Sequence, residues 1–153
     1  MGVGLRGMNM KEALKLKGHW TIEIREKGRL VNVIDIDNQL TKGYQNVVLS
    51  QLAGDSSQLL AITNLAVGTG QTPATADDTA LEAEIFRSNP TARTVENGYT
   101  RTVWVLTEQQ ANAHLYEIGV FLSDNTMISR INIDIEKTEY QEMSFIRRDY
   151  VTI

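Results

Sequence analysis

Short runs in which apolar and polar side chains alternate recur along most of the chain, and that period of two most limits the fold. Trp20, Ile22 and Ile24 alternate with Thr21, Glu23 and Arg25, and Ile131, Ile133 and Ile135 alternate with Asn132, Asp134 and Glu136. Successive side chains of a strand point to opposite faces, so each run reads as a half-buried strand. Lys27-Gly28 is a turn between the first run and a Val/Ile-rich run from Leu30 to Asp37, and the pair reads as a β-hairpin. Arg93 to Leu106 holds Asn97-Gly98, the dipeptide best suited to a two-residue hairpin turn. Leu115–Leu122, Met127–Lys137 and Ser144–Ile153 supply the remaining strands, with Ser123-Asp124-Asn125 as a turn and 107–113 as a short polar turn or helix.

One segment follows a different period. Leu40, Tyr44, Val47, Val48 and Leu52 recur at helical spacing, with Asn38 or Thr41 as the cap and Gly54 at the end. The expected fold is therefore mainly β. It is a single antiparallel β-sandwich or barrel-like domain over 18–153, with one early α-helix at about 39–53 and a short helix near 78–86. An extended N-terminal arm covers 1–17. Its Leu5, Met8, Met10, Leu14 and Leu16 are many apolar residues for a solvated tail, so the arm reads either as mobile or as ordered against a neighbouring subunit.

The middle of the chain, Leu59 to Arg87, reads as a buried strand, a long polar loop and a short capped helix. Gly68-Thr69-Gly70 suggests a phosphate loop, but Gln71 and Thr72 stand where that loop needs a Lys and a Ser or Thr. The glycines are better read as a tight exit from a strand. Asp77-Asp78 reads as a helix start, with Asp78 or Thr79 as N-cap and Glu82 as its reciprocal partner. The pairs Asp35/Asp37 and Asp134/Glu136 sit at strand alternation and read as solvated faces. Glu117, inside an apolar strand, is either outward and ordinary or buried and in need of a cation. Arg87 is the candidate partner. Gly119 in mid-strand suggests a bulge or a close approach of backbone.

Composition narrows the function classes. The chain has 153 residues, enough for one domain with a real core. It has no cysteine, so disulfides and thiolate metal sites are excluded. A net charge of −4 argues against non-specific nucleic-acid binding. No apolar run approaches the ~18 residues of a membrane span. The first residues lack the pattern of a secretory signal or a myristoylation site, so a soluble protein is expected. His19 and His114 are the imidazoles, 95 residues apart, and no nucleophile elbow accompanies them. No catalytic, cofactor-binding or metal-binding residue is assigned, and no cofactor is expected.

Three signatures occur in order. The first is Asn38-Gln39-Leu40-Thr41-Lys42-Gly43 before an apolar helix. The second is Ala66-Val67-Gly68-Thr69-Gly70, then a Thr/Pro/Ala loop, Asp78-Thr79-Ala80-Leu81 and Arg87. The third is Glu117-Ile118-Gly119-Val120-Phe121. This order, over residues 18 to 153, resembles the virion structural proteins of tailed bacteriophages, small β-rich subunits of tail fibre, baseplate or capsid surface. Leu40 stands where that pattern often has Val, and Val120 where it often has Leu.

The resemblance implies assembly and no catalysis. The chain would be a structural virion component of the tail, baseplate or fibre-attachment apparatus. It would be made in the host bacterial cytoplasm, working as a homo-oligomer with other virion proteins and without nucleic acid or membrane insertion. Interface candidates are Leu5, Met8, Met10, Leu14 and Leu16 in the arm and Thr69, Gln71, Thr72 and Thr75 in the loop. A capsid decoration protein is the alternative. A carbohydrate- or receptor-binding module is a third reading, in which Trp20, Trp104, Tyr99 and Tyr116 offer stacking faces. An enzyme is a fourth, which needs a polar pocket around His19 or His114.

Overall fold

The computed structural model describes residues 15–55 and 57–152. The strands in chain order are β1 (Lys15–Glu26), β2 (Arg29–Asp37), β3 (Ile62–Gly68), β4 (Glu84–Ser88), β5 (Ala92–Val95), β6 (Tyr99–Leu106), β7 (His114–Leu122), β8 (Met127–Glu136) and β9 (Gln141–Thr152). One helix, α1 (Lys42–Leu52), lies between β2 and β3. One sheet has the order β2-β1-β9-β6-β5 and the other β4-β3-β7-β8, and every strand pair is antiparallel. The expected β-sandwich is therefore the observed architecture.

The core sits between the sheets, and the alternation builds it. Trp20, Ile22 and Ile24 of β1 and Trp104 and Leu106 of β6 meet Leu65, Val67, Ile118, Val120, Ile131 and Ile133 from the facing sheet. Trp20 lies 5.9 Å from Trp104 and packs edge-on to Phe145 at 6.4 Å, ring centre to ring centre. Both turns read from the sequence are present. Lys27 and Gly28 take φ of 50° and 76° between β1 and β2. Asn97-Gly98 joins β5 to β6, closed by the Glu96 N–H donating to the Tyr99 carbonyl at 2.8 Å.

Two expectations are corrected. The arm boundary at residue 17 falls inside β1, because Lys15, Leu16 and Lys17 pair with Thr152, Val151 and Tyr150. Leu5, Met8, Met10 and Leu14 lie outside the described residues. Residues 78–86 form no helix: bends lead directly into β4, which pairs with β3. The Thr79 to Glu82 spacing that suggested a capping box serves another purpose, since the Glu82 carboxylate accepts from the Thr72 N–H and hydroxyl at 2.8 and 2.7 Å.

The cap of α1 is Thr41. Its hydroxyl accepts from the Tyr44 N–H at 3.2 Å and donates to the Met127 carbonyl at 2.6 Å, so it closes the helix and fastens it to β8. Asn38 instead turns into the core, where its Oδ1 accepts from Trp20 Nε1 and Arg147 at 3.2 Å each and from the Ser129 hydroxyl. The helix buries Val47 alone, while Leu49 and Leu52 are 55% and 80% exposed. Replacing Thr41 by Ala removes both hydroxyl bonds, and an N-cap of this kind is worth about 0.5–2 kcal/mol. Urea unfolding of Thr41→Ala is expected to show a loss at the upper end of that range, with an unchanged m-value.

Candidate functional site: a loop wrapped on a buried carboxylate

The site lies on the outer face of the smaller sheet. Tyr116 falls at a register shift between β7 and β8, so Leu115, Ile118 and Val120 all reach the main core. Glu117, Gly119 and Phe121 then point outward. That face is nevertheless covered, because the segment between β3 and β4 lies across it. Leu81 comes down onto Ala66, Phe121 and Met127 to form a second small core. It also explains Gly119: a Cβ there would come within 2.9 Å of Leu81 and 3.0 Å of Met127.

Beneath this loop Glu117 is fully buried, with no exposed surface. One carboxylate oxygen, Oε2, accepts from the Gly70 and Ala83 N–H groups at 2.8 Å each. The other, Oε1, accepts from the Glu82 N–H at 2.8 Å and from Arg130 Nε at 3.0 Å. A buried carboxylate is tolerable only when it is paired and hydrogen-bonded, and here every bond comes from the loop or from β8. The two loop glycines make this approach possible. A Cβ on Gly68 would lie 2.6 Å from Oε2 and 2.4 Å from the Ala83 carbonyl, and one on Gly70 would lie 2.5 Å from Oε2. Gly68-Thr69-Gly70 is thus a cradle for a carboxylate of the same chain.

Arg130 is the cation that Glu117 needs, and sequence reasoning missed it. It stands opposite Gly119 on β8, and its side chain is 2% exposed. Its remaining donors hold the loop: Nη1 reaches Asp78 at 3.1 Å, and Nη2 reaches the Thr72 carbonyl and hydroxyl at 2.9 and 3.2 Å. Burial raises the Asp78 carboxyl pKa, but hydrogen bonds from Thr75 and Arg130 outweigh it and hold the group below its usual value. Asp77 pairs with Lys42 at 2.7 Å, and the Lys42 N–H donates to the Ala76 carbonyl at 2.8 Å. The loop therefore also touches the start of α1.

The proposed Arg87–Glu117 pair is corrected. Arg87 does reach the same face, opposite Ala66. Its guanidinium lies 4.0 Å from the centre of the Phe121 ring and pairs with Glu84 at 2.7 Å, leaving Glu117 to Arg130. The signal for Arg130 was available, since a lone Arg interrupts Met127-Ile128-Ser129-Arg130-Ile131 as Glu117 interrupts its own strand.

Of the loop candidates, Thr69, Gln71, Thr72 and Thr75 are all exposed as residues. Thr72 and Thr75 spend their hydroxyls inside the loop, on Glu82 and Asp78. Thr69 and Gln71 lie at its base, where the Thr69 N–H donates to the Ala83 carbonyl at 3.0 Å, and Gln71 borders a shallow cleft of about 310 Å3 with Pro73, Tyr116 and Asp134.

No family model, curated protein or solved structure matches the chain.

The two histidines share one arrangement. His19 on β1 reaches Asp35 and Asp37 on β2 at 3.1 and 3.6 Å through opposite ring nitrogens. His114 on β7 reaches Asp134, and Glu136 at 2.8 Å, on β8 in the same manner, and stacks on Tyr116 at 4.3 Å. Each pair of carboxylates is solvated, as the alternation implied. The opposed ring nitrogens do not converge on a shared point, and among the described residues no His, Asp and Glu group is placed to hold a metal ion. No described helix is long and apolar enough to cross a membrane. Trp20 and Trp104 are fully buried and present no face to a sugar.

Two measurements check this geometry. Removing one partner of a buried ion pair costs about 3–5 kcal/mol, so Glu117→Gln and Arg130→Met are each expected to destabilise strongly. The double variant should lose far less than the sum in denaturant unfolding, whereas Glu117→Gln with Arg87→Met should be close to additive. The hydrogen bond that His114 donates to Asp134 raises the His114 pKa above 6.5, with burial opposing and the charges of Asp134 and Glu136 assisting. Stability from this contact is therefore complete below pH 6.5 and is lost as pH rises through the raised folded value. An NMR titration should find His114 above 6.5 and Asp134→Asn should bring it down.

Proposed function

We propose that this chain is a non-enzymatic structural subunit of a tailed-bacteriophage virion, in the tail, baseplate or fibre-attachment apparatus. The observation that carries the reading is the convergence of the second and third sequence signatures on one hub. Gly70 and Asp78 from one, and Glu117 from the other, meet around Arg130. The polar groups at that hub are consumed in holding a loop in shape, which is what a subunit acting through its surface requires. The exposed residues Thr69 and Gln71 at the base of the loop are the contact element of this reading, and the partners are other virion proteins and further copies of the chain.

A capsid decoration protein is the second reading, favoured by the same loop presentation on a small, cysteine-free sandwich. The two differ in copy number. Mass spectrometry of purified virions from the genome that encodes the chain, with immunogold labelling, is expected to find it at the tail in few copies. Many copies over the head would favour decoration. Absence from the particle would overturn both.

A further inference from the structure

The end of the sandwich at which β1 begins is open, and two clefts meet there on either side of Leu16 and Tyr44. One, of about 290 Å3, is walled by Leu60, Ile62 and Val151 and reaches Thr102. The other, of about 410 Å3, runs along α1 past Leu40, Val48 and Leu49. Four large apolar residues of their walls, Leu16, Leu49, Leu60 and Val151, are exposed. Thr102 is fully buried, and its hydroxyl has no hydrogen-bond partner among the described residues. Apolar walls with an unsatisfied hydroxyl suit an extended peptide, which brings side chains and carbonyls together.

The sequence before β1 has that character. Leu16 shares the inward parity of Trp20 and Ile22, and the same parity continues back through Leu14, Met10 and Met8. Asn9, Lys11, Lys15 and Lys17 fall on the other parity. Glu12 alone breaks the apolar series, and Lys17 and Arg93 border the first cleft with the charge that answers it. From Met10 to Lys15 the chain reads Met-Lys-Glu-Ala-Leu-Lys, without the Gly, Pro, Asn or Asp that reverse a chain. The sequence next to β1 thus carries no turn signal that would return it to its own clefts.

We propose that the two clefts receive the Met8–Leu14 segment of a second copy of this chain. Met8, Met10 and Leu14 fill the apolar walls, a backbone carbonyl takes the Thr102 hydroxyl, and Glu12 faces Lys17 and Arg93. The contact joins different surfaces of the two copies, so it closes either by reciprocal exchange or around a ring. The inference rests on the reading of the chain as an assembling subunit and names the contact through which it assembles.

The chain has no cysteine, which makes trapping direct. Full-length Met10→Cys and Leu49→Cys are prepared separately, mixed and oxidised, with Glu108→Cys at the far end of the sandwich as control. A disulfide-linked heterodimer of Met10→Cys with Leu49→Cys, and none with Glu108→Cys, is the expected result. The absence of that heterodimer overturns the proposal. So does a Met10→Cys/Leu49→Cys double variant that closes its bond only within one chain. Sedimentation separates this failure from that of the wider reading. The full chain is expected to run as a multiple of 17.1 kDa, and a chain lacking residues 1–14 as a single subunit. An oligomer that survives truncation overturns the arm contact and leaves the assembling subunit standing. A full chain that is monomeric at high concentration removes both.

Discussion

A carboxylate with no access to water decides the shape of the long loop. Glu117 must have its bonds met from within the protein, and three of the four come from backbone N–H groups at Gly70, Glu82 and Ala83. Those residues bracket the loop, so satisfying the charge also fixes both of its ends. Arg130 neutralises the carboxylate and extends the same logic to the middle, through Thr72 and Asp78. Hydrophobic packing of Leu81 adds to the arrangement, but apolar contact is non-directional and would allow several loop paths. The buried ion pair selects one. Any path that left either partner unpaired would strand a buried charge, which is strongly destabilising.

Strands β1, β6 and β8 were legible because each has one face on a single core, so period two reports their orientation. Trp20, Ile22 and Ile24 needed nothing more, and the hairpin turns at Lys27-Gly28 and Asn97-Gly98 are local chemistry. The helix was legible in position and less so in burial. Leu52 is exposed and Val48 only half-buried although the spacing suggested a broad apolar face, because α1 seals only Val47 beneath it. The supposed helix near 78–86 failed for a tertiary reason. Asp78, Thr79 and Glu82 have the residue types of a cap, yet the Asp78 carboxylate answers Thr75 and Arg130 and the Glu82 carboxylate answers Thr72.

Glu117 shows where a two-faced view of a strand stops. An alternating strand suggests an inner face and a wet outer face, and Glu117 is on the outer one. It is buried because a third layer, formed by residues distant in sequence, lies over it. The glycines at 68 and 70 did signal a close approach, but their spacing carries no information about what approaches. The lone Arg130 in its strand marked a candidate cation, but the choice between it and Arg87 was not local. Arg87 and Arg130 reach the same face, and the register of β8 against β7 decides between them.

The order of the larger sheet bears on how the chain is made. β9 lies between β1 and β6, pairing with residues up to 137 positions earlier, Lys15 with Thr152. During synthesis the β1–β2 and β5–β6 hairpins emerge well before it and have no common strand to join them. Sheet closure therefore waits for the last described strand, and the contacts that bring the two halves together carry the large loop-closure entropy of widely separated residues. Until β9 has been made, β1 and β6 each keep one edge without a partner, and an unpaired strand edge is the part of a β-protein most exposed to pairing with another chain.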